Sequence, residues 1–440
     1  MVVGSIIGSA IFMMPAVLVP FGLLGLVSWA VAGVGAIFVA LMLANLSRRV
    51  AGAGGPYAYT RAGFGEFAGF MIAWGYWIAQ LVSCAGIAVA FTSYLGAMIP
   101  GVGATPLLSI GCGLLMIWGL VAINVLGVKE AGIVGLVTTV MKLLPLAAIG
   151  IVGLFFVEPS TLPPMNPGSG NALSLFASSF ALTFWTFVGL EAVTVPSEDV
   201  VDQHKTIPRA LVLGTLTTLV VYLLVAFVVM GIVPAAQLEA SSSPLADAGS
   251  RLAGHWGAML VSAGALVSTL GAINCGLLVA GQTAMAAARS GVFPERFKRL
   301  NRHGTPTFSF VTAGVLISAL MLLNFSKGLV GAYTFIVLIA TLTTVVPYAF
   351  CAMAGLLLAP RTGDGERRRW SWESVVAVVA FVVSIWVIAS SGSDTVFWGF
   401  LLLMAGLPVY VLVTRYRNNA VWLFGSGTAA KRTDCRSANE

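Results

Sequence analysis

Long apolar runs separated by short polar stretches make up most of the chain. About twelve of these runs reach the roughly 20 residues that a helix needs to cross a bilayer. They lie near 2–19, 23–46, 66–96, 106–127, 132–156, 172–196, 210–233, 257–287, 307–324, 330–358, 373–391 and 395–414. None shows the short alternation of apolar and polar residues that marks the strands of a membrane barrel. The pattern predicts an all-α polytopic membrane protein.

Two of the runs are interrupted by small or polar residues, which predicts broken helices. One interruption extends from Gly4 to Phe12, and the other extends from Phe184 to Glu191, about half of the apolar core later. Paired interruptions in two halves of a chain are the best sequence pointer to the binding site of a transporter. Unwound backbone exposes N–H and C=O groups to a polar solute at mid-membrane depth. We therefore predict that the chain moves small molecules across a membrane.

The polar stretches predict one transmembrane domain, at 1–415, and a polar cytoplasmic tail, at 416–440. No linker rich in Pro, Ser or charge divides the chain, and the longer loops are expected at 47–65, 158–171, 235–256, 288–306 and 359–372. The glycine-containing tail does not fit the spacing of a phosphate loop, so gradients or exchange would drive transport. Because the first interruption follows Met1 directly, we expect the natural start to lie upstream or a leader to be missing.

The charges predict the orientation of the chain. Hydrophobic residues make up 58% of the sequence and charged residues only 9%, against roughly a quarter in soluble domains. With a cytoplasmic N-terminus, the inner loops and tail contain every basic residue except Lys142, Arg251 and Lys327. This bias follows the positive-inside rule and predicts both termini in the cytoplasm. The net charge of +7 thus reflects topology and anionic lipids, whereas nucleic-acid binding needs a contiguous soluble basic face.

The sequence indicates no metal site, cofactor or disulfide framework. The five cysteines are scattered and the three histidines stand singly in loops, which fits neither zinc-ligand spacing nor paired outer-loop cysteines. Only Glu191 and Lys142 are ionisable residues well inside predicted spans. An intramembrane enzyme would need a larger constellation, so no enzyme is predicted. A receptor that binds solute without flux is a further alternative, which the short tail without a signalling domain disfavours.

Intramembrane ionisable residues are costly, so each is a hypothesis for a functional site. For Glu191 the alternative is a structural hydrogen bond to a neighbouring helix. For Lys142 a side chain that reaches the membrane surface is disfavoured, because about ten apolar residues flank it on each side.

Three motifs make the chain resemble the amino acid–polyamine–organocation (APC) transporters. The first is the Gly4–Phe12 interruption followed by Pro15, and the second is the stretch from Gly54 to Tyr59. The third runs from Ala280 through Pro294 to Pro306. The resemblance covers roughly residues 1–360 and implies a LeuT-type 5+5 inverted repeat. Repeat one would span about 1–157, repeat two about 171–358, and two extra helices about 371–415, with helices 1 and 6 broken.

Within this superfamily the chain is most similar to the basic amino acid/polyamine antiporters. The resemblance implies an inner-membrane transporter that exchanges an arginine-like amino acid for its decarboxylated, agmatine-like amine by alternating access. The alternative is a proton-coupled, sodium-independent permease for neutral or broad-range amino acids. The resemblance also allows a homodimer in which one protomer is sufficient for transport.

The family match assigns substrate contacts to the two interruptions and to the positions that face them. The matching residues are Ser5, Ile6, Gly8, Ser9, Ala10, Ala79, Gln80, Cys84, Trp185, Val188, Gly276 and Ala340. Gly276 stands where the antiporters would place an aromatic wall, Ser5 and Cys84 each replace Asn, and Ala340 replaces Ser. These departures leave the substrate open among arginine, agmatine, lysine, ornithine, other diamines and neutral amino acids.

The resemblance also implies roles in coupling and gating. Glu191 would be a protonatable counter-charge, and Lys142 would replace a sodium ion as a bridge between the first and fifth helices. Trp185 would gate the site and contact a cation through its ring. Tyr76 and Tyr333 match outer or middle aromatic gates, and Tyr348 matches the inner closure.

Overall fold

The computed structural model confirms a helical membrane protein. It describes the backbone of residues 2–50, 52–166, 171–241, 243–325, 329–359 and 371–424. Within these ranges it also describes the side chains, except those of residues 97, 100, 128, 130, 131, 199, 324–339 and 416–424. These ranges contain no β-strand. Within them, 10 segments are long and apolar enough to cross a bilayer, and Thr307–Leu323 is a shorter apolar helix. One of the segments, Ala10–Arg49, covers most of the first predicted span and all of the second.

The first half of the fold begins with an interrupted helix. Its helices are α1 (Val2–Ile6), α2 (Ala10–Leu18), α3 (Gly22–Arg49), α4 (Pro56–Phe64), α5 (Glu66–Met98), α6 (Pro100–Ala104), α7 (Pro106–Leu126) and α8 (Val128–Gly153). Together α1 and α2 form the first predicted span, with residues 7–9 outside both helices.

The second half begins with the other interrupted segment. Its helices are α9 (Ala172–Trp185), α10 (Gln203–Ile232), α11 (Ala235–Glu239), α12 (Pro244–Arg289), α13 (Thr307–Phe325) and α14 (Leu329–Leu357). The helices α15 (Trp372–Ser390), α16 (Ser393–Met404) and α17 (Gly406–Phe424) follow. After α9 the chain forms two 3₁₀ helices, Leu190–Thr194 and Ser197–Asp199, instead of a second α-helical half.

Three regions differ from the expected loops and tail. The loop predicted at 47–65 contains α4, and the loop predicted at 235–256 contains α11 and the start of α12. Pro56 and Pro244 stand in the first turn of their helices, where proline is favoured. Short or amphipathic helices in polar stretches cannot be distinguished from loops by composition alone. The last helix continues to Phe424, beyond the boundary predicted at 415.

Close packing along α12 sets the position of the site. This helix is rich in Ala and Gly and is buried along most of its length. A Cβ at Gly264 would collide with Pro145 of α8, and one at Gly281 would collide with Phe310 of α13. Small residues at such contacts let membrane helices approach closely. As a result α12 lies against α5, α8 and the first break.

Candidate functional site: the pocket between the two breaks

Side chains from other helices satisfy the backbone that the first break leaves unpaired. Tyr222 Oη of α10 donates to Ile6 O (2.7 Å). Ser268 Oγ of α12 lies 3.1 Å from Ile7 O and 3.0 Å from Gly8 O. Inside a membrane, non-helical backbone is stable only where such partners or a polar cavity are present. The unwound conformation of the first break is therefore stabilised by hydrogen bonds from α10 and α12.

Lys142 ties α8 to the same break. Its side chain is fully buried, and its Nζ donates to Gly4 O (2.7 Å) and to Ile7 O. A Cβ at Gly4 would meet Thr139 of α8, so the two helices approach closely here. Two carbonyl acceptors compensate the burial of the ammonium group. The resemblance to the APC transporters predicts a bridge between the first and fifth spans at this position.

The second break is packed directly against the first. Gly189 has a φ of 102°, a left-handed conformation that favours glycine. A Cβ there would lie 3.3 Å from the backbone of Ser5. Trp29 Nε1 of α3 donates to Thr186 Oγ1 (2.8 Å), and the Trp29 ring packs against Tyr222, with centroids 5.4 Å apart. One aromatic pair thus braces both breaks.

Glu191 lies at the start of the 3₁₀ helix after the second break and is fully buried. Tyr76 Oη of α5 donates to its Oε1 (2.7 Å), and Tyr348 Oη of α14 donates to its Oε2. The Gly189 N–H also donates to Oε2, over 3.1 Å. A carboxylate accepts all three of these hydrogen bonds, whereas a protonated carboxyl group must donate one itself. Protonation therefore requires the hydroxyl hydrogens of this cluster to rearrange.

Two of the predicted gating residues, Tyr76 and Tyr348, meet at one carboxylate. Tyr76 was matched to the outer or middle gates, yet it binds the same carboxylate as Tyr348, which was matched to the inner closure. Tyr76 lies one turn before Gln80 on α5, closer to the helix start at Glu66. The side chain of Tyr333 lies outside the part of the structure that is described.

A central pocket of about 560 Å³ lies between the two breaks, α5 and α12. Of the predicted substrate contacts, those that line it are Ser5, Ile6, Gly8, Ser9, Ala10, Gln80, Cys84, Trp185, Val188 and Gly276. Ala79 and Ala340 are buried but do not line it. On α5 the lining follows the spacing 80, 83, 84 and 87, which is one helix face, and Ala79 lies beside that face.

Sequence reasoning missed several residues of the site. Ser83, Ile87, Thr186, Gly189, Ala192, Ala272, Cys275 and Val279 also line the pocket. Ser268 and Tyr222, which hold the first break, were missed as well. Only the helical spacing from Gln80 could have indicated Ser83 and Ile87. Glu191 is not itself a lining residue; it lies behind the pocket with its two tyrosines.

The pocket wall is uncharged and partly unsatisfied. None of its lining residues is acidic or basic. The Ser5 hydroxyl is buried and has no hydrogen-bond partner among the described residues, which is costly unless a solute supplies one. A Cβ at Gly276 would collide with Cys84 Sγ. The two departures from the antiporter pattern therefore fit each other, since Cys84 fills space that a side chain at 276 would need.

The fold and the pocket define a multi-pass membrane transporter of the broken-helix type. The model of the amino acid permease family matches residues 1–415, and the chain belongs to this family of transporters. The APC resemblance read from the motifs is thereby confirmed.

Bacterial antiporters are among the relatives. An arginine/ornithine antiporter of Pseudomonas aeruginosa is 31% identical over 409 residues, covering 89% of this chain and 84% of that protein. An arginine/agmatine antiporter of Chlamydia pneumoniae is 29% identical over 444 residues, covering 96% of this chain and 90% of that protein. A third relative, an arginine/agmatine antiporter of Chlamydia felis, is 28% identical and covers 98% and 92% respectively.

Proposed function

We propose that the protein is an antiporter of a bacterial cytoplasmic membrane that exchanges a cationic amino acid such as arginine for its decarboxylated amine, agmatine. The observation that carries this proposal is the pocket enclosed by both breaks, with the unpartnered Ser5 hydroxyl in its wall. The names of the relatives support a cationic amino acid, and ornithine is the other exchange partner they suggest.

In this proposal the two breaks bind the part of the substrate common to all amino acids. Ala10 opens α2 at the pocket, and the first turn of a helix presents N–H groups that suit a carboxylate. Carbonyl oxygens after Trp185 suit the α-ammonium. The Trp185 ring, which also lines the pocket, would contact the cationic end.

We propose that Lys142 makes the transporter independent of sodium. Its ammonium group donates hydrogen bonds to the carbonyl oxygens of Gly4 and Ile7. These oxygens and the Ser268 hydroxyl are the kind of hard ligands that a sodium ion would otherwise use. A side-chain ammonium group holds the first break in place without an ion gradient.

Glu191 is proposed to couple occupancy to conformation. Its two tyrosine partners come from α5 and α14, so the cluster joins three separate elements. Breaking these hydrogen bonds would let the elements separate and open a path below the pocket. Proton transfer at Glu191 and substrate binding above it would then favour different states, as alternating access requires.

Purified protein in liposomes tests the proposal. Vesicles loaded with unlabelled arginine or agmatine are compared with empty vesicles for uptake of labelled arginine. Uptake only into loaded vesicles is the expected result, with loss of uptake in Glu191→Gln. Glu158→Gln is the matched control, because Glu158 is exposed in a loop. Absence of arginine exchange in the wild-type protein would refute the proposal.

A second candidate is a proton-coupled permease for neutral or broad-range amino acids. The observation in its favour is the uncharged pocket wall, in which Gly276 and Cys84 offer no aromatic or acidic contact to a guanidinium group. An imposed proton gradient across empty vesicles separates the two functions. A permease would accumulate neutral amino acids under this gradient, whereas an antiporter would require an internal partner.

The cytoplasmic termini and the homodimer stay predictions.

A further inference from the structure

A second polar pocket lies about two helical turns from the central one. Its volume, counted to the mouth and including open solvent, is about 890 Å³. Along α12, Val279 lines the central pocket and Ala286 lines the second, which places them roughly 10 Å apart at 1.5 Å per residue. Tyr76, Ala192, Val195 and Val279 form a buried apolar cluster, and Ala192 and Val279 of this cluster also line the central pocket. In the predicted orientation the second pocket lies on the cytoplasmic side.

Charged groups of both signs line this pocket, with an excess of positive charge. Its ionisable side chains are Arg61, Arg289 and Glu198, besides Tyr57. Arg289 Nη1 lies 3.3 Å from Glu198 Oε2, and the Ala53 N–H donates to Glu198 Oε1 (3.2 Å). Arg61 donates to Ser290 Oγ (2.9 Å) and lies 3.5 Å from Glu66, which is outside the lining. The lining therefore contains two guanidinium groups and one carboxylate, which leaves one positive charge in excess.

Tyr57 is the most deeply buried polar side chain of this lining. Its side chain is 2% exposed, and its hydroxyl faces Ser290 and Arg61 without a hydrogen bond of ordinary geometry to either. Burial raises the pKa of Tyr57, so the hydroxyl stays protonated and available as a donor. Tyr57 and Arg61 are four residues apart on α4 and share one face of that helix. Ser290 accepts a hydrogen bond from Arg61 and keeps its own hydrogen to donate.

We propose that this second pocket binds the amino acid head group of the substrate on its way between the central pocket and the cytoplasm. The inference rests on the proposed function. Arg61, Tyr57 and Ser290 would donate to the α-carboxylate, and a guanidinium suits a carboxylate because it offers parallel N–H donors. Glu198 would accept from the α-ammonium.

The chemistry of the two exchange partners gives this site a consequence. Arginine has an α-carboxylate and agmatine has none. The second pocket therefore favours arginine over agmatine on its own side of the membrane. The central pocket is used by substrate from both sides of the membrane, so it does not favour arginine on one side only.

Tyr57→Phe tests the inference, because it removes only a hydroxyl whose contacts with Ser290 and Arg61 fall short of ordinary hydrogen-bond geometry. Tyr410→Phe is the matched control, since Tyr410 is a partly buried tyrosine on α17 that packs against Phe67 and Phe70. Exchange is measured in right-side-out and inside-out vesicles that contain the wild-type or variant protein. The concentration of arginine or agmatine is varied on each side in turn.

We expect Tyr57→Phe to raise the KM for cytoplasmic arginine about tenfold, as for loss of a hydrogen bond to a charged group. The KM for agmatine on either side and for external arginine stays at the wild-type value. An unchanged KM for cytoplasmic arginine would overturn the inference alone. Equal increases for arginine and agmatine would overturn it as well. Absence of arginine–agmatine exchange in the wild type would overturn the proposed function and the inference with it.

An anionic lipid headgroup shares the chemistry of a carboxylate. The same variant is therefore compared in purified protein reconstituted with phosphatidylcholine alone or with added phosphatidylglycerol. An effect of Tyr57→Phe in both membranes supports the amino acid as the ligand. An effect confined to the membrane with phosphatidylglycerol would identify a lipid phosphate instead and overturn the inference.

Discussion

Replacement of Lys142 by methionine isolates the contribution of the buried ammonium group, because the two side chains have similar length. In the structure Ile7 O retains Ser268 as a partner, whereas Gly4 O loses the hydrogen bond from Lys142. One buried carbonyl without a partner costs about 1–3 kcal/mol. The change also removes a buried charge, which offsets part of that loss. We expect a net loss of about 1–2 kcal/mol in stability and a larger loss of exchange, since α1 is no longer fixed to α8.

Thermal unfolding in detergent and arginine exchange in liposomes measure the two effects. Lys129→Met is the matched control, because Lys129 lies on the same helix but is exposed. Reduced exchange and stability in Lys142→Met, with wild-type values in Lys129→Met, are the expected outcome. A Lys142→Met protein that exchanges arginine at the wild-type rate would refute the reasoning about this bridge.

Three further changes probe the pocket itself. Ser5→Ala removes an unpartnered hydroxyl, so thermal stability should stay constant or rise slightly while the KM for arginine increases; an unchanged KM would exclude Ser5 from binding. Gly189→Ala should cost about 1–3 kcal/mol, because alanine disfavours a φ of 102°, and should lower the yield of folded protein on size-exclusion chromatography. Gly276→Ala should destabilise the protein through its collision with Cys84. Cys84→Gly should restore stability in the double variant, and additive losses in this cycle would contradict the packing argument.

The two breaks and Lys142 could be predicted from the sequence because they are exceptions within apolar runs. Glycine and serine interrupt the first run, and a lone lysine in a long apolar segment must find buried acceptors. Nothing comparable marks Ser268 or Tyr222. A serine or tyrosine in a membrane helix is compatible with ordinary packing, and only the three-dimensional structure shows that these hydroxyls reach the carbonyls of residues 6–8.

Positions next to the site could be predicted less well. Ala79 and Gln80 are neighbours in sequence, yet only Gln80 faces the pocket, because adjacent residues on a helix point about 100° apart. Tyr76 and Tyr348 are far apart in the chain, and their common partner Glu191 depends on how α5 and α14 pack around the second break. Contacts between residues that are far apart in the chain cannot be predicted from the local sequence.

Coupled exchange moves one substrate in for each substrate that leaves, and a double-label measurement follows both at once. Liposomes that contain the purified protein are loaded with agmatine bearing one label and placed in arginine bearing another. We expect equal molar amounts of arginine entering and agmatine leaving, with both fluxes lost in Glu191→Gln. Arginine entry without agmatine exit would show that the two fluxes are not coupled and would identify a permease.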